Sequence, residues 1–362
     1  MSGTTIEDNN IIWKNKMLVK LRENKEYWDL FTRKEEYAPL ILDQYNRFPY
    51  YLSKNREILK PKVSEFLVKN GFYFEYPENK KFAVCLTHDV DVVNISNLST
   101  IHKAVKSLTQ LQIKSALKTL FSKINKKWNP LWNFRNIMDM EKKYDAKSSF
   151  YFLALNKDDV DFNFKIRELE HEIGYIVDNG WEVGLHGGHY AFSDLKTIKA
   201  EKRRLEDVLG KKVVGYRNHY LRFKVPDSWN ILAEAGFKYD STFGYADMVG
   251  FRNGMCHPYK PVDLRTNKQI DILEIPLVVM DVTLFDYMRL SVEVAWKVIK
   301  LLIDTTEKCN GVITILWHNT YMVGDKLKLY EKILEYCYEK NAWMTSGEEI
   351  CKWWQLCKWW QL

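Results

Sequence analysis

The chain has 362 residues, of which 46% are apolar and 14% aromatic, and its formal net charge is +7. This length can bury one large core or two ordinary ones. The basic residues are spread along the chain rather than gathered in a tail. That distribution argues against a nucleic-acid partner and suits an anionic, phosphorylated or lipid-linked glycan.

No segment approaches the ~18 consecutive apolar residues of a membrane span, and no apolar segment follows the first methionine. The six cysteines form no Cys-x-x-Cys pair, which indicates buried free thiols, as at Cys85 and Cys337. We therefore expect a cytoplasmic protein whose contact with the inner membrane surface is peripheral, through a lipid-linked substrate.

Residues 1–80 are rich in Lys, Glu, Tyr and Leu, which predicts a helical extension with helices over 25–42 and 61–69. From residue 81 to 350, short apolar runs alternate with amphipathic helices. The predicted strands are 82–87, 149–154, 181–185, 212–216, 237–240, 271–280 and 312–317. Repeated strand–helix units predict an α/β fold with a parallel sheet, and about seven strands favour closure into a (β/α) barrel.

Two segments interrupt this pattern. Residues 92–133 are too long for an ordinary strand-to-helix connection, and their Lys-rich periodicity predicts an inserted pair of helices. The sequence Cys-Lys-Trp-Trp-Gln-Leu occurs twice in succession over 351–362. Two copies of six residues are too few for a repeat architecture, which favours a duplicated tail without chemistry over a membrane-interface anchor.

The first predicted strand runs into Thr87-His88-Asp89-Val90-Asp91. Reacting groups collect at the carboxyl ends of parallel strands, and two carboxylates there can supply a metal ligand and a nearby base. Taken alone, an Asp-Val-Asp sequence is more often a solvated acidic turn.

His186 and His189 follow the predicted strand at 181–185, with two glycines between them. Neutral imidazoles at this spacing can reach one metal ion if the backbone turns, and glycines permit a turn. The alternative is one structural histidine and one exposed loop histidine.

Three more predicted strands end in polar groups, namely Arg217 with His219, Asp240, and His318. An arginine beside buried carboxylates keeps them ionised and fixes their orientation. Each residue alone is as readily structural as functional. Polar groups at successive strand ends of one sheet nevertheless predict a single site.

The order and spacing of these five motifs, over about 82–318, resemble the polysaccharide deacetylase (NodB-homology) family of metal-dependent carbohydrate esterases. The resemblance implies a distorted (β/α) barrel and an N-deacetylase. It implies that Asp89 is the general base, that Arg217 orients it and that His318 is the general acid. It also places Asp240 in the fourth motif and the backbone N–H of Tyr220 at the oxyanion.

The resemblance implies a metal held by one aspartate and two histidines. Asp91 takes the aspartate's role because the residue after Asp89 is a valine. His186 matches the first histidine, and His189 lies one residue short of the second. We expect His189 to be the third ligand, with His219, which otherwise lines the substrate pocket, as its competitor.

The resulting hypothesis is a metal-dependent hydrolase that removes an N-acetyl group from an amino sugar of a surface glycan or its precursor. Its expected partner is an N-acetylated saccharide. Zinc is the default ion for an Asp/His/His set, and iron, cobalt and nickel accept the same ligand types. The alternatives are a carbohydrate-binding scaffold with a degraded metal site and a hydrolase of a non-sugar C–N bond.

Overall fold

The computed structural model describes residues 16–94 and 129–356, together with the backbone of 359–361. The helical pair predicted within 92–133 falls mostly outside these described residues. Among them, no helix is both long enough and apolar enough to cross a bilayer.

The strands, in chain order, are β1 Phe72–Phe74, β2 Ala83–Val90, β3 Ser149–Leu153, β4 Glu182–Gly187, β5 Gly215–Asn218, β6 Tyr239–Asp240, β7 Val262–Asp263, β8 Lys268–Gln269, β9 Leu273–Glu274, β10 Leu277–Met280, β11 Val312–Leu316, β12 Trp343–Thr345 and β13 Trp359–Gln361. The α-helices are α1 Lys25–Phe31, α2 Lys62–Lys69, α3 Phe134–Lys142, α4 Glu170–Asp178, α5 Leu195–Leu209, α6 Asp227–Glu234, α7 Val292–Lys308, α8 Gly324–Glu339 and α9 Gly347–Leu356.

A parallel sheet forms the centre of the molecule, with the strand order β10-β11-β2-β3-β4-β5-β6-β9 and β12 paired to β2. Its long strands are buried along their whole length, as expected when helices cover a parallel sheet. Apolar side chains of α5, α7 and α8 pack on it in one continuous core. The predicted α/β fold, a distorted (β/α) barrel, is confirmed.

The predicted strand at 271–280 is in fact two strands at opposite edges of the sheet. β9 pairs with β6, and β10 pairs with β11. Only Ile275 and Pro276 separate them, so the two edges lie at most about 11 Å apart. These two residues cross the gap between the edge strands, which hydrogen bonds would close in a regular barrel. Pro276 has no N–H to donate to such a ladder.

The N-terminal extension is less helical than predicted. The helix expected over 25–42 ends at Phe31, and Arg33 then adopts a left-handed conformation with φ 53°. The buried Arg33 guanidinium donates to Glu36 (2.7 Å), to the Arg252 carbonyl (2.9 Å) and to the Tyr245 hydroxyl (2.7 Å). These contacts stabilise the left-handed turn at Arg33, which a continuous helix through this residue could not form. The helix predicted at 61–69 is present as α2.

The repeated hexapeptide takes two forms. Its first copy lies in α9, where Trp354 stacks on Phe74 of β1 with ring centroids 5.4 Å apart. The backbone of the second copy forms β13, which pairs with β1 in antiparallel fashion. The repeat therefore packs against the N-terminal part of the chain.

Candidate metal centre and active site

The candidate functional side chains lie at the carboxyl ends of β2, β4, β5 and β11. β2 extends to Val90, so Asp89 lies within the strand and only Asp91 lies beyond it. β4 and β5 are neighbours, and His186 pairs with Arg217 across their ladder. This register brings the predicted motifs to one end of the barrel, where loops can adapt them to chemistry.

Asp91, His186 and His219 form the group of potential metal ligands found in the described part of the chain. His186 Nε2 is 3.1 Å from Asp91 Oδ1 and 3.1 Å from His219 Nδ1. His219 Nδ1 is 3.5 Å from the same carboxylate oxygen. Donors bound tetrahedrally to zinc at 2.0–2.2 Å lie about 3.3 Å apart. The three atoms therefore fit one divalent ion.

Hydrogen bonds aim the ligand atoms inward. His186 Nδ1–H donates to the Arg217 carbonyl at 3.1 Å, which leaves Nε2 free to coordinate. His219 Nε2 is 3.5 Å from Asp161 Oδ2, which leaves Nδ1 facing the cluster. Asp91 Oδ1 is buried without a hydrogen-bond partner. A buried carboxylate oxygen in that state is suited to receive an ion.

Charge also favours an ionised Asp91. Burial alone would raise the pKa of this carboxyl, but His219, His186 and His318 face it and hold its pKa well below the ordinary range. Asp161, which positions His219, was not identified from the sequence. It lies in an acidic loop, and such a sequence is typical of ordinary solvated surface.

His189, the expected third ligand, lies outside the cluster. Its ring packs on Tyr190 and Tyr220, and its Nδ1 is 3.9 Å from Asp161 Oδ2. The Arg222 guanidinium donates to its carbonyl at 2.6 Å and fixes the loop. The geometry thus replaces His189 with His219 as the candidate third ligand.

The two glycines before His189 provide packing room rather than freedom to turn. Neither has a positive φ. A Cβ on Gly187 would lie 2.0 Å from the Tyr216 hydroxyl, and one on Gly188 would lie 2.8 Å from Glu201 Oε1. The Gly188 N–H donates to Glu201 Oε2 at 2.9 Å. These contacts therefore hold the loop in a conformation that directs His189 away from the metal-ligand cluster.

We expect His219→Ala to lower the equilibrium content of bound metal at least about tenfold, because one of three protein ligands is lost. His189→Ala should leave the metal content unchanged. Elemental analysis of both purified variants, dialysed against the same metal buffer, makes the comparison. Retention of metal in His219→Ala together with loss in His189→Ala would reverse the assignment.

Glu201 gives the loop a dependence on pH. Burial raises the pKa of this carboxyl to about 7, against the opposing hydrogen bond from the Gly188 N–H. The folded protein then keeps a proton that the unfolded chain releases near its ordinary pKa, so the free energy of unfolding falls as pH rises from about 4.5 to 7.

Accordingly, Glu201→Gln should be more stable than the parent at pH 8, by at most about 3 kcal/mol, and nearly equal to it at pH 5. Chemical denaturation at the two pH values measures the difference. The exposed Glu168→Gln is the matched control. A Glu201→Gln effect of the same size at both pH values would show that ionisation is not its cause.

Asp89 and Arg217 form the next layer of the site. Both side chains are buried, and Arg217 Nη1 lies 3.7 Å from Asp89 Oδ1. Arg217 Nη2 donates to Thr87 Oγ1 (3.1 Å) and Ser241 Oγ (2.9 Å), which fixes the guanidinium. Asp89 Oδ1 has no hydrogen-bond partner. This carboxylate is held beside a permanent cation with an oxygen free to accept a proton.

His318 is paired with Asp281, a residue that sequence reasoning missed. His318 Nδ1–H donates to Asp281 Oδ1 and its backbone N–H donates to Oδ2, each at 2.6 Å. Burial would lower the pKa of His318, but Asp281, with Asp91 and Asp89 nearby, raises it to about 10. Its Nε2 lies 3.7 Å from Asp91 Oδ2. The imidazole thus favours its protonated form and faces the cluster.

Asp240, expected in the fourth motif, has a different environment. Thr242 Oγ1 donates to its Oδ1 at 2.6 Å, and burial raises its pKa. It lies in β6 beside Glu274 of β9, its partner in the ladder. Asp240 is thus buried within the sheet, and the carboxylate paired with His318 is that of Asp281.

Tyr220 lies directly after the candidate ligand His219, in a strained turn with φ 60° and ψ 11°. The two rings are 4.0 Å apart. This conformation is uncommon for a residue with a side chain, and such strain collects at functional sites. The turn places the Tyr220 backbone next to the candidate ligand His219.

The fold is similar to those of solved polysaccharide deacetylases. No family model and no curated protein matches the sequence. A protein from Mycobacterium smegmatis assigned as a polysaccharide deacetylase is 17% identical, with a TM-score of 0.53 over 76% of this chain and 91% of that one. The chain therefore has a polysaccharide deacetylase fold.

Two further structures match with lower scores. A CE4 family pseudoenzyme from Bacillus anthracis is 14% identical, with a TM-score of 0.42 over 77% of this chain and 68% of that one. A polysaccharide deacetylase from Bacillus cereus is 14% identical, with a TM-score of 0.38 over 73% and 91% of the two chains.

Proposed function

We propose that this protein is a metal-dependent hydrolase that removes an N-acetyl group from an amino sugar. The observation that carries the proposal is the convergence of three metal-ligand atoms, within 4.8 Å of one another, with a buried carboxylate and a carboxylate-paired imidazole. A scaffold with a degraded site would have no need to keep the acid, the base and the groups that orient them.

Each group has a separate task. A divalent ion, for which we propose zinc, supplies Lewis acidity toward the amide carbonyl and the attacking water. Asp89 accepts the proton of that water, and Arg217 holds the carboxylate in place. The backbone N–H of Tyr220 stabilises the negative charge that develops on the carbonyl oxygen. His318 donates a proton to the amine nitrogen, which leaves poorly without one.

Aromatic rings beside the reacting groups suit a sugar. Tyr220 adjoins His219, and the ring of Tyr321 lies 6.2 Å from that of His318. Both tyrosines are partly exposed, so they can contact a bound sugar. The net charge of +7 suits a phosphate-bearing precursor. We therefore propose a cytoplasmic precursor of a surface glycan as the substrate.

Release of acetate from a panel of N-acetyl sugars tests the proposal, with chelator-stripped protein compared before and after zinc is restored. We expect at least one sugar to be deacetylated, only with metal present. A protein that binds these sugars but never releases acetate would be the scaffold. Hydrolysis of cyclic amides alone would assign the site to non-sugar C–N bonds.

A further inference from the structure

A tight turn over residues 43–47 of the N-terminal extension lies beside the candidate metal centre. The Asp43 carboxylate accepts the backbone N–H groups of Tyr45 and Arg47, both at 2.9 Å, and accepts from Arg47 Nε at 2.7 Å. The Asp43 N–H donates in turn to the Arg47 carbonyl at 2.9 Å. Arg47 is itself buried. Paired polar groups therefore fix this turn against the barrel.

The Arg47 guanidinium holds the backbone that directly follows the candidate ligand His219. Its Nη1 donates to the Tyr220 carbonyl at 2.7 Å, and its Nη2 donates to the Tyr287 hydroxyl at 3.0 Å. Tyr220 and Leu221 both have left-handed conformations, with φ 60° and 52°. Such residues cost free energy and persist only where their surroundings impose them. Arg47 helps to impose them, because it binds the carbonyl that joins the two.

Ring contacts continue from the extension to His219. The rings of Tyr45 and Tyr220 stack with centroids 4.7 Å apart and planes 15° apart. The rings of Tyr220 and His219 are 4.0 Å apart. Arg222 Nε donates to the Tyr45 carbonyl at 2.8 Å, which keeps Tyr45 in place. The Tyr220 ring therefore contacts both an extension residue and a candidate ligand, and it limits rotation of the His219 imidazole.

His219 depends on this packing more than His186 does. A metal-bound imidazole is usually oriented by a hydrogen bond from its other nitrogen. His186 has such a bond, of 3.1 Å, to the buried Arg217 carbonyl. The corresponding contact of His219, to an Asp161 carboxylate that is 33% exposed, is 3.5 Å long. It exceeds the ~2.7–3.2 Å of an ordinary N–H···O bond, so ring packing has to supply the rest of the restraint.

We propose that Arg47 and Tyr45 are positioning residues of the metal centre, which hold His219 in the orientation that binds the ion. The role rests on the proposed function, since it concerns the same metal site. The N-terminal extension is then part of the active site, although it lies outside the five motifs.

Competition for zinc against a chromophoric chelator measures this role without an assay of turnover. We expect Arg47→Ala to weaken zinc binding at least about tenfold, the usual effect of losing a residue that orients a metal ligand. The matched control is Arg56→Ala, which removes an exposed arginine of the same extension that donates to the Tyr51 carbonyl at 3.1 Å. It should bind zinc as the parent does. Circular dichroism of the metal-free proteins reports whether each variant is folded.

Tyr45 provides a second test with a smaller disturbance of the fold. Tyr45→Ala should weaken zinc binding about twofold to tenfold, because a stacked ring is lost from Tyr220. Tyr45→Phe keeps that ring and should restore the affinity of the parent. This rescue separates an effect through the ring contacts from a general weakening of the extension.

Unchanged zinc affinity in folded Arg47→Ala would overturn the positioning role, and so would an equal loss in Arg56→Ala. If Arg47→Ala does not fold, equal affinities of Tyr45→Ala and the parent would overturn it. Acetate release judges the proposed function separately. Zinc binding that depends on Arg47 in a protein that never releases acetate would refute that function alone. Deacetylation with zinc binding independent of Arg47 and Tyr45 would refute the positioning role alone.

Discussion

Replacement of Asp89 by asparagine is expected to lower turnover of an N-acetyl sugar by a factor of about 10²–10⁴, the usual contribution of a general base, and to leave the metal content unchanged. The amide is nearly isosteric but cannot accept the proton of the attacking water. Metal should be retained, because the three candidate ligand atoms belong to Asp91, His186 and His219.

Initial rates and elemental analysis on the same preparation measure the two properties together. Asp178→Asn, at the exposed end of α4, is the matched control and should match the parent in both. Turnover within twofold of the parent in Asp89→Asn would remove this residue from the mechanism. Joint loss of metal and turnover would instead make Asp89 a ligand.

His318→Gln should produce a loss that depends on the leaving group. We expect hydrolysis of an N-acetyl sugar to fall about 10²–10⁴-fold, whereas hydrolysis of a nitrophenyl acetate should fall far less. An amine must be protonated to leave, but a nitrophenolate leaves as the anion. Asp89→Asn should slow both substrates, since both need the attacking water to lose its proton.

The ratio of the two rates separates a general acid from a structural histidine. The control is His171→Gln, a histidine whose side chain is 84% exposed and which should alter neither rate. Equal losses on both substrates in His318→Gln would show that the residue supports the site without donating the proton. Metal analysis of the variant guards against an indirect effect through Asp91, 3.7 Å away.

Much of the barrel could be predicted from the local pattern of apolar and polar residues. Apolar runs such as 312–317 are long, β-branched and bounded by polar residues, so their burial as strands is dictated by composition. The break at Ile275-Pro276 was missed because apolar residues occur throughout 271–280, in the first half at Ile272, Leu273 and Ile275 and in the second half over 277–280. The two strands, β9 and β10, are distinguished only by their pairing with opposite edges of the sheet. The helix predicted to reach residue 42 ends early because Arg33 finds its partners far along the chain, at Tyr245 and Arg252.

The site also contains residues that the local pattern could predict and residues that it could not. Asp89, His186 and His318 were identified because each lies at or next to the end of an apolar strand. Asp281 also directly follows a strand, β10, and the predicted strand at 271–280 ends next to it, so the same signal could have identified it. The choice between His189 and His219 depends on how Glu201 and Arg222 hold the intervening loop, which spacing along the chain cannot reveal.

The metal centre is the feature on which the proposed chemistry depends, and an anomalous difference map from zinc-loaded crystals tests it most directly. We expect a single strong peak at the carboxyl end of the barrel, within about 2.0–2.2 Å of Asp91, His186 and His219. A map without a peak at these three residues, or with the zinc bound at His189 instead, would contradict the assignment.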